Sequence, residues 1–96
     1  MNVKFEWDSK KAALNIKTHD VSFDEAKTVF SDPLAQIFDD EFHSENERRE
    51  IIIRHSNESR LLLVCFTERT EDVIRIFSAR LPTKDERKDY EENTNF

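Results

Sequence analysis

Apolar and polar positions follow two periods along this chain, and the change of period divides it. Val3, Phe5 and Trp7 fall on one side of a two-residue alternation, with Lys4 and Glu6 on the other, which predicts a strand over residues 3–7. Asp8 is a good N-cap for a helix over Ser9–His19, with Ala12, Ala13 and Ile16 inward and Lys10, Lys11 and Lys17 outward. Asp20 stands where a left-handed residue ends such a helix. Ser22-Phe23-Asp24-Glu25 is a capping box that opens a second helix to about Phe30, and Ser31-Asp32-Pro33 closes it.

From there the period shortens to two. Strands are predicted over residues 34–38, 49–55, 61–69 and 73–80, rich in β-branched and aliphatic side chains, with Thr70-Glu71-Asp72 as the turn between the last two. Residues 39–47 read as an acidic loop carrying Phe42 and His43. Residues 56–59 read as a turn in which Asn57 is best able to take positive φ. Thr83-Lys84-Asp85-Glu86 is a second capping box after Pro82, starting a helix to about Glu92, with residues 93–96 as a frayed tail. The order β-α-α-β-β-β-β-α predicts one α+β domain over residues 1–96. Its sheet is expected to be antiparallel, with the two N-terminal helices on one face and a short helix at the end.

The net charge of −6 argues against nucleic acid until it is divided along the chain. Residues 1–47 hold 5 basic and 11 acidic side chains, whereas residues 48–80 hold 7 basic and 5 acidic. All seven bases of that block are arginine: Arg48, Arg49, Arg54, Arg60, Arg69, Arg75 and Arg80. Guanidinium groups grip phosphate and carboxylate with two parallel donors, so the sheet half is suited to bind an anion. The chain has no glycine, which excludes a glycine-rich phosphate loop. Its single cysteine, Cys65, lies in the apolar run Leu61–Phe66; a buried thiol in a reducing cytoplasm is the expected state. No apolar run reaches membrane-spanning length, and the three histidines have no metal-type spacing, so neither membrane nor metal nor other cofactor is expected.

A series of short strings then suggests a family. They are Phe5-Glu6-Trp7-Asp8, Lys11 and Asn15, His19 with Val21-Ser22-Phe23, and Val29-Phe30 with Asp32-Pro33. His43-Ser44 with Glu47 and Arg49 follows, then Thr67-Glu68-Arg69, Ile74-Arg75-Ile76, Ser78-Ala79-Arg80 and Tyr90-Glu91. In this order they resemble the BrnT toxins, the ribonuclease component of type II toxin–antitoxin systems. The resemblance implies a RelE-like fold and endoribonuclease activity. It also implies a BrnA-like antitoxin that neutralises the toxin, as a hetero-oligomer of the two-plus-two kind, and alone contacts operator DNA. Thr18-His19-Asp20 departs from the Lys-His-Gly common in that family, with Lys17 one position away.

Metal-independent RNA cleavage needs a base for the 2′-OH, cations for the phosphorane and an acid for the leaving 5′-oxygen. Glu68 is the candidate base, His43 the acid–base histidine, and Arg69 and Arg80 the phosphate-stabilising cations; Arg75, Lys17, His19 and Arg49 are candidates for holding substrate. Each has a plainer role to set beside this: a turn-flanking carboxylate, a solvated loop histidine, snorkelling or salt-bridged arginines, a helix-end histidine. Strict alternation would put Arg80 with Ile74 and Ile76 but Arg75 with Phe77 and Ala79, and would point Glu68 and Arg69 to opposite faces unless a bulge intervenes. The alternative to a toxin is a non-catalytic module, or an inactivated relative, that holds an acidic or antitoxin partner on its arginine-bearing sheet.

Overall fold

Asp8, Ser22 and Thr83 each accept hydrogen bonds from backbone N–H groups at the start of a helix, and those caps fix where the helices begin. The computed structural model describes residues 3–31, 36–40 and 47–94. Its elements are β1 (Lys4–Glu6), α1 (Ser9–His19), α2 (Phe23–Ala26, continued by a 3₁₀ stretch over Lys27–Ser31), β2 (Gln36–Asp39), β3 (Glu50–His55), β4 (Leu61–Thr70), β5 (Val73–Arg80) and α3 (Lys84–Thr94). Left-handed positions without glycine fall to Asp20, Ser59 and Asp72, with φ of 58°, 62° and 68°. Asp20 was the expected helix terminus, whereas the turn after β3 uses Ser59 rather than Asn57.

The five strands form one sheet in the order β1-β5-β4-β3-β2. β1 runs parallel to β5 and the other three pairings are antiparallel, so the sheet is mixed rather than antiparallel throughout. Alternation within a strand carries no information about the direction of its neighbour. β1 and β5 meet only after the whole intervening chain has returned to the first edge.

One face of the sheet carries the larger core. Ile52, Leu62, Val64, Phe66, Ile76 and Ala79 pack there against Val21, Phe23, Ala26 and Val29 from the α2 region. Phe30 stands edge-on to Phe66 at 4.9 Å, and Trp7 to Phe23 at 5.8 Å. α3 lies on the opposite face, where Tyr90 joins Ile53, Leu61 and Leu63. The helices therefore cover both faces, the second only in part.

α1 does neither. Its one buried side chain is Asn15, while Ala13 and Ile16, expected to point inward, are exposed. The Asn15 amide donates to the carbonyls of Ala79 at 2.8 Å and Val21 at 2.9 Å, and its oxygen accepts from the Ala79 N–H at 3.2 Å. β1 pairs with β5 only up to Arg75, so the rest of that edge is free. Asn15 pairs there as an extra strand residue would, and ties α1 along the open edge.

Candidate functional site

Two irregularities in the β4–β5 ladder decide which charges share a face. Cys65 pairs with Ser78 while Phe66 pairs with Ile76, which leaves Phe77 as an extra residue in β5. Glu68 pairs with Ile74 and Thr70 with Val73, which leaves Arg69 extra in β4. The bulge at Phe77 resets the alternation. Ile74, Ile76 and Ala79 all pack in the larger core, and Arg75, Ser78 and Arg80, paired with Thr67, Cys65 and Leu63, share the other face. Arg80 is thus separated from Ile74 and Ile76, contrary to strict alternation.

On that face a cleft of about 690 Å³ opens between α1, the sheet and the start of α3. Its floor is Ile51, Leu63, Cys65, Phe77 and Ser78. α1 contributes Lys11, Leu14, Asn15, Thr18 and His19, and the remaining wall holds Asp40, Arg49, Arg80 and Glu86. Lys11, Asn15, Thr18 and His19 recur at helical spacing, so one stripe of α1 faces the cleft.

Arg80 donates from both terminal nitrogens to Glu86, at 2.8 and 3.0 Å. The Arg80 guanidinium is the main cause that holds the Glu86 carboxyl down at about 2, helped by the Thr83 N–H that donates to it at 2.8 Å. The Arg49 guanidinium lies over the Phe77 ring at 3.8 Å from its centroid, and the Lys11 ammonium reaches the same ring at 5.7 Å. Asp40 is 6 % exposed. It accepts the Cys65 thiol proton at 3.2 Å, and its N–H donates to the Arg49 carbonyl at 2.8 Å. Burial first, then Asp40, pushes the Cys65 thiol up to about 12, so the sulfur is a hydrogen-bond donor and no nucleophile.

Of the residues expected from sequence, Arg80, Arg49 and His19 come together in this cleft. Arg75 and Arg69 lie outside it, gathered on Glu6 at 2.8 and 3.7 Å. Glu68 is exposed at the far end of β4, opposite Ile74, and Lys17 is exposed on α1 away from the cleft. His43 falls outside the described residues. Sequence reasoning passed over Lys11, Phe77, Asp40 and Glu86 as site residues. The stripe on α1 was a legible signal for Lys11, and alternation already put Phe77 on the Arg75 face; nothing in a strand pattern announces the bulge that brings Ser78 and Arg80 to that face as well. Among the described residues no group of three or more His, Cys, Asp or Glu is placed to hold a metal ion, and no helix is long and apolar enough to cross a membrane.

The fold is similar to that of the ribonuclease toxin BrnT of Brucella abortus, known from a crystal structure at 1.1 Å. The TM-score is 0.66 at 21 % sequence identity, over 86 % of this chain and all of that one. No curated protein sequence matches the chain. The family model described as "Ribonuclease toxin, BrnT, of type II toxin-antitoxin system" matches residues 7–86, and with most of its length matched this chain belongs to that family.

Proposed function

We propose that this chain is the toxin of a type II pair and cuts RNA without a metal, by attack of the 2′-OH on the adjacent phosphate. The observation that carries this is the convergence of Lys11, Arg49, Arg80 and His19 in one cleft beside the buried carboxylate of Asp40. Asp40, rather than the remote Glu68, takes the 2′-OH proton. Arg80 and Lys11 stabilise the phosphorane, Arg49 helps to hold the strand, and His19 protonates the leaving 5′-oxygen. The products are a 2′,3′-cyclic phosphate and a 5′-hydroxyl end. Arg80 meets the phosphate only after exchanging Glu86 for it, a trade between two bidentate anions.

A type II system implies an antitoxin. A BrnA-like protein that neutralises the toxin in the cytoplasm, in a complex of two toxins and two antitoxins, and brings the pair to operator DNA completes the proposal. A second reading, a chain that binds its antitoxin without cutting RNA, is favoured by one observation: Thr18, the departure from the family pattern, lines the cleft.

Total RNA incubated with the purified protein, with and without a chelator, separates these readings. The expected outcome is fragmentation that is insensitive to chelator and absent in Arg80→Ala. Intact RNA with the wild-type protein supports the binding module, and chelator-sensitive cleavage overturns the metal-free mechanism.

A further inference from the structure

A phosphate needs cations, and the cleft has them; it does not need a ring. Yet Phe77, the extra residue of the bulge in β5, lines the cleft, and the Arg49 guanidinium lies over it at 3.8 Å. A guanidinium at that distance from a phenyl ring extends the flat π surface and adds positive charge to it. From the edge of the sheet, α1 presents Leu14 to the same cleft, 61 % exposed, a leucine at a helix position where a polar residue would be better solvated. A cationic aromatic surface and an apolar side chain lining one cleft suit a planar heterocycle. Within the same cleft the hydroxyls of Thr18 and Ser78 are available to meet a base edge, whereas the Asn15 amide is committed to backbone.

We infer that the Arg49–Phe77 stack is a nucleobase platform, which takes a base of the RNA strand next to the phosphate held by Arg80. This rests on the ribonuclease reading for the identity of the strand. It adds what that reading lacks, a place where the enzyme senses a base rather than a charge. Single-strand-binding surfaces generally combine such stacking with cations along the backbone, and the stack is tolerant of base identity while the edge contacts are not. The platform therefore supplies affinity, and Thr18 and Ser78 supply preference.

The test uses a 2′-O-methyl oligonucleotide of mixed sequence carrying one 2-aminopurine, which cannot be cut by 2′-OH attack. With the wild-type protein, 2-aminopurine emission is expected to be quenched on stacking. Phe77→Leu, which keeps apolar volume, is expected to lose the quench and to weaken binding roughly tenfold or more. Phe77→Trp is expected to keep both, and it carries the test if Phe77→Leu does not fold. Arg49→Lys keeps the charge but not the plane, and is expected to weaken the quench as well. Quench and affinity unchanged in Phe77→Leu, or lost equally in a folded Phe77→Trp, overturn the platform. Intact RNA with a wild-type protein that still shows a Phe77-dependent quench overturns the ribonuclease reading and leaves the platform standing. For an active protein, Phe77→Leu is expected to raise KM with little change in kcat, because the platform supplies affinity.

Discussion

The two capping boxes of this chain begin alike and end differently. In both, a hydroxyl accepts from the backbone three residues on: Ser22 Oγ from the Glu25 N–H at 3.0 Å, and Thr83 Oγ1 from the Glu86 N–H at 3.2 Å. Glu86 completes its box by accepting the Thr83 N–H, and it also pairs with Arg80 at the rim of the cleft. Glu25 turns away instead. Its carboxylate is 3 % exposed and takes the Arg60 guanidinium and the Ser56 hydroxyl, the latter at 2.7 Å. One signature thus gives a buried brace between α2 and the β3–β4 turn, and a half-exposed pair beside the candidate site. The difference lies in solvent. A buried carboxylate without its cation is costly, whereas an exposed one is simply hydrated.

Arg60→Ala draws that contrast most sharply. It leaves Glu25 buried without its cation, and the expected loss is about 3 kcal/mol. A urea midpoint measured at neutral pH checks it. A loss under 1 kcal/mol would mean that Glu25 escapes to water and that the brace is dispensable.

Arg80→Ala is expected to cost far less stability, about 1 kcal/mol or below, because 36 % of Arg80 and 33 % of Glu86 side-chain surface is exposed. Its effect on function is expected to be large: loss of RNA cleavage, and relief of growth arrest when the protein is expressed without a partner. A variant that is as destabilised as Arg60→Ala would make the second pair a brace too, and would remove the distinction.

Much of the fold was legible in the sequence, because it was written in local signals. Asp8, Ser22 and Thr83 mark helix starts, Asp20 marks a helix end, and the period of two from residue 50 onward marks strands. What stayed hidden depends on partners far along the chain. The parallel pairing of β1 with β5 is set by the returning chain. The destinations of Glu25 and Glu86 depend on Arg60 and Arg80, which no local pattern assigns to them. The site was legible in part. Arg80, Arg49 and His19 were singled out and share the cleft, but Arg69 and Arg75, of equal chemistry, are drawn to Glu6 instead. Lys11 was read as an outward residue, since α1 was judged by its alanines rather than by the polar stripe through Asn15. Ser78 and Arg80 needed the bulge to share a face with Arg75 and Phe77, and a bulge is a property of two strands together.

The smallest expected effect is a matter of acid. Glu25 and Glu86 both have carboxyls held below their ordinary value of 4.5, Glu86 down at about 2, in each case chiefly by the paired arginine. A depressed carboxyl binds its proton less readily in the folded state than in the unfolded one. It therefore contributes stability above about pH 4.5, and that contribution drains away as the pH falls toward 2. Arg80→Ala has lost the part of this that comes from the guanidinium but keeps the Thr83 N–H. The gap in urea midpoint between wild type and Arg80→Ala should accordingly narrow between pH 5 and pH 2, by well under the full pair, since a third of the ion pair is open to screening. The corresponding gap for Arg60→Ala should close further over the same range, because protonation neutralises the buried charge that the variant strands. A gap for Arg80→Ala that stays constant down to pH 2 would mean that Glu86 keeps its charge without help from Arg80. The bidentate pair would then be a consequence of the capping box and not a cause of the low carboxyl.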